Sequence, residues 1–493
     1  MNNAETIIKD RTLTYEQKLI SLAKEAENSL HVLNISKEAQ ELREEGVICD
    51  LGEGNAPYRP RYIVPDYEKF MKNGSEFLRL TPPQDIWEAV NNLLIIYRHV
   101  PSITTFPVYI GNIDTLLEPF VKDEEEAYKA IKLFLKQIDR TISDSFCHAD
   151  IGPVDTKAGR LILKAERELQ DAIPNITLKY SKEKTSDDFA KDCVQTALVT
   201  AKPSFANDEM FRDDFNGDYA IASCYNGLRI GGGSYTLSRL NMYKIAQRSE
   251  SIDDFFNVQL PYAIDAMLGF EDERVRYIVE ESGFFESSFL VKEGLISREN
   301  FTAMFGMFGL AECVNHLLNA TELNERFGHS NKADELGVKI IDAMDKRVKQ
   351  HRNKYCADKK FLMHAQVGID SDRGTSPACR IPIGEEPELW DHLRNCGLFH
   401  KFFPSGIGDI FPFEKNSKNN PEYILDIIKG AFKVDMRYFS LYSSDSNVIR
   451  ITGYLVKKSD MEKLDRGENV TQDTVVLGLG AVKNAKVLER KVR

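Results

Sequence analysis

An α/β fold is what the sequence predicts, and three observations predict it. Charged stretches with helical periodicity alternate with short apolar runs closed by glycine or proline, the pattern of strands layered against helices. The 493 residues, 42% hydrophobic and 28% charged, supply a large core in ordinary globular proportions. No internal repeat or low-complexity linker interrupts them.

Taken in chain order, residues 13–45 space their apolar positions near 3.6 and predict one or two amphipathic helices. Residues 122–140 and 156–173 predict helices in the same way, and the acidic run Asp123-Glu124-Glu125-Glu126 suits a helix N-terminus, where the dipole favours carboxylates. Residues 106–112 and 147–153 are expected as short strands or loops. His148 and Asp150 in the latter suit either a substrate cavity or a loop held by local side-chain bonds. Further helices are expected over 299–323, rich in Met, Phe and Gly, and over 333–350. Residues 364–413 are dense in turn formers, notably from Asp370 to Arg380 and from Phe403 to Asp409. Loops at one end of the strands build the site of an α/β barrel. Arg380 there suits a substrate carboxylate or phosphate, or a structural salt bridge. A helix over 421–434 and a strand over 436–443 follow, and 477–493 ends basic, as a surface tail.

Composition excludes several classes. A net charge of −12 argues against a nucleic-acid surface, which needs clustered Lys and Arg. The first residues form no apolar leader and no apolar run reaches membrane-spanning length, so a cytoplasmic location is expected. The cysteines are scattered without a Cys-x-x-Cys, and no two histidines lie three to five residues apart, so no metal site is expected.

Two segments carry the chemistry. Arg450-Ile451-Thr452-Gly453-Tyr454 offers a glycine whose α-carbon can flatten into a radical without a side-chain clash, with the flanking amide and carbonyl to delocalise the electron. Read alone, it is equally a strand broken by a glycine turn. Upstream, Tyr219-Ala220-Ile221-Ala222-Ser223-Cys224-Tyr225-Asn226-Gly227 sets a cysteine at the tip of a loop after a buried strand, followed by Gly231-Gly232-Gly233. A thiol projected into a cavity ranks first, a buried cysteine with a glycine turn second, and a phosphate cradle over 227–234 third, since neither a Gly-Lys-Ser/Thr nor a dinucleotide fingerprint follows.

Together these segments resemble the glycyl radical enzymes, with Thr452 departing from the usual Ser, Cys or Ala. Pro174-Asn175-Ile176-Thr177, Lys202-Pro203-Ser204-Phe205-Ala206-Asn207-Asp208 and Gly309-Leu310-Ala311-Glu312 match that superfamily in the same order, from roughly His148 onward. The nearest match is the YjjI-like glycine radical enzyme family, and more distantly the anaerobic ribonucleotide reductases. The resemblance implies a ten-stranded α/β barrel of two five-stranded halves with a central cysteine finger loop. It also implies an N-terminal helical region (1–145), a barrel (146–434) and a glycyl radical segment (435–493). It implies a radical stored on Gly453 and a thiyl on Cys224, with Arg450 and Tyr454 holding the loop. Glu312, Asn226, His148, Asp150, Thr177, Asp208 and Arg380 are the candidates for substrate contact. No bound cofactor is expected in turnover. The expected partners are a radical S-adenosylmethionine activating enzyme, a small-molecule substrate and a second copy in a homodimer.

Departures narrow the reading. No cysteine lies between Gly397 and Arg493, where anaerobic ribonucleotide reductases carry a four-cysteine zinc site. Tyr225 follows Cys224, so the second thiol of the pyruvate formate-lyases is missing. Asn226 stands where diol dehydratases carry a basic Glu, and an amide cannot take that proton.

Overall fold

The computed structural model describes residues 3–50, 53–102, 107–142, 144, 146–365, 374–472 and 474–493. The N-terminal part contributes strands β1 (Ile48–Cys49), β2 (Tyr62–Val64) and β3 (Tyr109–Asn112). Strands β4 (His148–Ile151), β5 (Asn175–Tyr180) and β6 (Ser204–Asn207) follow, then a small hairpin of β7 (Ala220–Ile221) and β8 (Gly227–Leu228). The long β9 (Gly232–Asn241) precedes β10 (Phe301–Phe308) and β11 (Leu362–Ala365). Strands β12 (Asp409–Phe413) and β13 (Tyr438–Ser443) lead to a terminal hairpin of β14 (Val448–Arg450) and β15 (Leu455–Lys457).

These strands build two sheets. One runs β3-β4-β5-β6-β13-β12, parallel except where β13 meets β6. The other runs β1-β9-β10-β11, with β2 also on β9 and only β1 and β2 antiparallel. Among the described residues no strand pairing joins the sheets, so the expected closed barrel of two five-stranded halves is met by a six-stranded and a five-stranded sheet. Parallel neighbours need helical crossovers. Lys157–Leu169 connects β4 to β5, and Asp187–Thr200 connects β5 to β6. Thr156 and Ser186 cap these helices through Gly159 and Phe189 amides, each cap contributing about 1 kcal/mol. The acidic run serves as expected, Asp123 capping the helix Glu124–Thr141.

The expected helices over 13–45 appear as Tyr15–Asn28 and Lys37–Glu44, and that over 333–350 as Asn331–Gln350. Two expectations are corrected. The segment read as a helix over 299–323 is first β10, paired on both edges and buried throughout, and only then a helix over Leu310–Leu317. A strand covered on both faces loses its period of two. The expected surface tail carries a helix, Thr474–Ala485, and delivers a buried Arg490 to the interior. Phe106, the start of one expected strand, and Asp370 to Arg373 of the turn-dense region lie outside the described residues.

Apolar burial falls into one main core and two satellites. The main core joins both sheets to their helices. One satellite gathers Phe211, Tyr219, Ile221, Cys224, Tyr225 and Tyr438; the other gathers Ile449, Ile451, Tyr454, Val456, Met461, Val470, Val475 and Val487. Phe146 packs against all three.

Candidate active site

The hairpin β7–β8 holds Cys224 at its tip. The Ala222 amide donates to the Asn226 carbonyl at 2.8 Å and the Asn226 amide to the Ser223 carbonyl at 2.7 Å, leaving Cys224 in the turn between them. Its φ of +45° lies in the left-handed region, a conformation that a residue with a β-carbon adopts only when its surroundings hold it there. The loop from Phe403 to Asp409 supplies that hold. Ser405 accepts the Gly227 amide at 3.0 Å, and Tyr225 donates to the Ala365 carbonyl at 3.0 Å. A β-carbon on Gly406, whose φ is +118°, would fall 2.0 Å from the Tyr225 carbonyl, and one on Gly408 would press on the Tyr438 and Tyr225 rings. Glycine at both positions lets the tip seat.

The root of the hairpin is fixed by charge. Asp150 on β4 accepts the Ile221 amide at 2.9 Å and faces Lys179 Nζ at 3.4 Å, while Lys179 donates to the Tyr219 carbonyl at 2.8 Å. The Tyr219 hydroxyl donates to Asp208 at 2.6 Å. Burial pushes the Asp150 carboxyl up to about 6 against the opposing pull of Lys179. Lys179, Asp208 and Tyr219 also line a cleft of about 540 Å³ at this root. Gly232 and Gly233 are not a cradle for phosphate. A β-carbon there would strike the Asn300 and Tyr62 main chains at 2.3 and 2.0 Å, so the space is filled by neighbouring strands.

Gly453 lies buried in the turn between β14 and β15, closed by the Ile451 amide donating to Tyr454 at 3.1 Å. One side chain grips the glycine itself, Asn175 Nδ2 donating to the Gly453 carbonyl at 2.9 Å. Arg450 steadies Asn175 by donating to its Oδ1 at 3.1 Å and donates to the Ala201 carbonyl at 2.9 Å. Arg490 donates to the carbonyls of Arg450 and Ile451. Tyr454 is fully buried, its ring 5.1 Å from Phe146.

Between hairpin and glycine loop runs a buried polar row. On β5, Asn175, Thr177 and Lys179 share one face by strand alternation, while Ile176 and Leu178 join the main core. His148 Nε2 lies 2.7 Å from Thr177 Oγ1, which lies 2.7 Å from the Tyr438 hydroxyl. Burial, and then the charge of Arg450, push His148 well below its ordinary value, so the imidazole is neutral. The Tyr438 ring sits 5.8 Å from Tyr225. Burial pushes the Cys224 thiol up to about 12, with the Ser223 hydroxyl and the charges of Arg450 and Arg380 pulling the other way. It is a thiol at neutral pH, suited to giving up a hydrogen atom rather than acting as a thiolate.

Sequence reasoning brought His148, Asp150, Thr177 and Asp208 to one interior, and Arg380 joins them, donating through Nε to the Gly408 carbonyl at 2.9 Å. Asn226 closes the hairpin turn through its main chain. Glu312 lies apart, accepting from Ser376 at 2.7 Å beside a different cavity of about 490 Å³ that none of the Cys224 satellite lines. Asn175, Tyr438, Gly406 and Arg490 were missed as site residues. Only Asn175 had a signal, inside the matched Pro-Asn-x-Thr.

Among the described residues, His392, Cys396 and Asp409 bring metal-type donor atoms within 4.8 Å of one another. They read as an internal network. Arg493 faces His392 Nδ1 at 3.0 Å, which leaves Nε2 to donate to Asp409 at 3.0 Å, and Arg380 Nε stands 3.5 Å from the same carboxylate. The guanidinium groups already supply the positive charge there.

Comparison with known proteins gives the family and the fold. A family model described as "Glycyl radical enzyme YjjI-like" matches residues 13–493. An uncharacterized protein of Haemophilus influenzae is 47% identical over 494 residues, covering 99% of this chain and 96% of that one. A solved structure concerning 1,2-propanediol dehydration in Roseburia inulinivorans has a TM-score of 0.75 at 10% identity, over 100% of this chain and 88% of that one. The anaerobic ribonucleotide reductase of Thermotoga maritima, in complex with dATP and CTP, has a TM-score of 0.72 at 13% identity, over 94% and 93%. At these identities the two structures speak for the fold.

Proposed function

Since the chain belongs to the YjjI-like glycyl radical enzyme family, we propose that Gly453 stores a radical and that Cys224 turns it on substrate. The Gly453 α-carbon radical takes a hydrogen atom from the Cys224 thiol, giving glycine and a sulfur radical. That sulfur radical takes a hydrogen atom from carbon of a small substrate, regenerating the thiol. After the substrate radical rearranges or eliminates, the product radical recovers the hydrogen and the steps reverse. The protein's share is position and dryness.

One observation carries this reading: the apolar satellite of Cys224 and that of the glycine loop meet at Phe146, and one strand, β5, holds both, Asn175 on the Gly453 carbonyl and Thr177 on Tyr438 of the Cys224 cluster. Lyase-type chemistry is favoured over ribonucleotide reduction by the absence of cysteine after Cys396. The radical itself is to be installed by a radical S-adenosylmethionine activating enzyme, on a protein that works as a homodimer.

The test is electron paramagnetic resonance after anaerobic treatment with a matched activating enzyme, S-adenosylmethionine and reductant. A doublet from the single α-hydrogen of Gly453 is expected. The same doublet from Gly453→Ala would sink the assignment.

A further inference from the structure

We propose that the interior beside Cys224 receives a small substrate bearing an anionic group, a carboxylate or a phosphoryl group, and that Arg380 and Arg450 hold it. The location of the reacting thiol rests on the glycyl radical reading; the spare guanidinium donors do not.

Arg380 is 7% exposed. Its Nε is committed to the Gly408 carbonyl and stands 3.5 Å from Asp409, yet among the described residues its Nη1 has no acceptor. Arg450 is fully buried and spends Nε on Ala201 and Nη2 on Asn175, leaving Nη1 likewise without an acceptor among the described residues. Both flank the reacting thiol. Gly408 lies under the rings of Tyr225 and Tyr438, which pack with Cys224, and Arg450 leads directly into the glycine loop. The two cations also act on each other and on the Cys224 sulfur.

The carboxylates that face them are taken. Asp409 accepts from the Ile410 amide at 2.7 Å and from His392 at 3.0 Å, with the Cys396 thiol at 3.5 Å. Asp144 accepts the Phe146 amide at 2.8 Å. Arg490, the third guanidinium in reach, is used on main-chain carbonyls. Two buried guanidinium groups, one of them already facing Asp409, each keep a spare Nη1 donor and together form a receptor for oxygen-bearing anions, since a dry charged donor is costly until an acceptor satisfies it. A neutral diol such as 1,2-propanediol, whose dehydration the Roseburia inulinivorans structure concerns, would leave both Nη1 donors without an anionic acceptor.

Calorimetric titration of the full-length, unactivated protein tests this with matched probes. Lactate carries a carboxylate where 1,2-propanediol carries a hydroxymethyl group, and inorganic phosphate separates the two anion sources. Lactate or phosphate is expected to bind at least about tenfold more tightly than the diol, and to lose about that factor in Arg380→Gln. Whichever anion binds more tightly names the group. Equal or tighter binding of the diol, no anion binding, or anion affinity unchanged in Arg380→Gln would overturn the proposal. If Arg380→Gln lacks the wild-type melting transition, Arg380→Lys decides instead. That variant keeps the charge and loses the fork, so a several-fold drop supports the pair and an unchanged affinity refutes it. Because no radical is needed, anion binding without a doublet would retain this proposal and sink the radical one, and the converse holds too.

Discussion

In the proposed reaction Cys224 and Gly453 divide one chemical task between a side chain and a main chain, and each can be tested alone. Cys224→Ser should still accept the radical on Gly453 but lose all turnover, because a hydroxyl O–H bond is too strong for a carbon radical to break. Measurable turnover by this variant, once a substrate is in hand, would mean another thiol reacts. Asn175 is the residue that sequence reasoning passed over. Its amide donates to the carbonyl that shares the unpaired spin of Gly453, so it should tune the radical as well as position the loop. Asn175→Asp keeps an oxygen for Arg450 and removes the donor; Asn175→Ala removes both. Both variants should shift the α-hydrogen splitting and shorten the life of the doublet, the aspartate through electronics alone. An unchanged splitting in both would reduce Asn175 to packing.

The cysteine hairpin is a two-plus-two-residue ladder that could not stand alone. Its stability is borrowed from Asp150 and Lys179 at the root and from Gly406 and Gly408 at the tip. Asp150 makes that support depend on pH. Its folded value, about 6, lies above the ordinary carboxyl value of 3.8, so the folded state binds this proton more tightly than the unfolded one. Stability therefore falls as pH rises from about 4 through about 6, by up to about 3 kcal/mol for this group. Asp150→Asn still accepts the Ile221 amide and does not titrate. Melting both proteins between pH 5 and 8 should show wild type losing ground to the variant as pH rises, and parallel curves would refute the assignment. These elements were unevenly legible in the sequence. The hairpin, β5 and β6 were readable because glycine and proline punctuate them and their motifs match a known order. β10 was not, because its continuous apolar run satisfies a buried helix equally well. Arg490 was beyond reach for another reason: its partners lie 40 and 39 residues upstream, and nothing local marks a basic tail residue as buried.

Across the whole molecule, two sheets with separate hydrogen-bond ladders share one main core, and the cysteine hairpin and glycine turn add a satellite each. The structure concerning 1,2-propanediol dehydration and the anaerobic ribonucleotide reductase share this fold with the chain at 10% and 13% identity, and a fold shared so widely does not by itself name a substrate. The division of the apolar core has a further result. The terminal hairpin, with its buried Gly453, reaches the main core through Val448 and Leu455, while Ile449, Ile451, Tyr454 and Val456 pack in a small cluster of their own, and Asn175, Arg450 and Arg490 grip the turn. A second protein cannot reach a sealed α-carbon, so the proposed activation would demand an excursion of this segment. Because the turn itself packs in the small cluster and only Val448 and Leu455 anchor it to the main core, that excursion is expected as a sub-global opening that costs less than unfolding the sheets. Native-state amide exchange should then find Val448–Arg450 and Leu455–Lys457 opening at a lower free energy than β5, with little dependence on denaturant. Exchange only through global unfolding would mean the segment is locked in place, and the latch that lets one protein charge another with a radical would have to lie elsewhere.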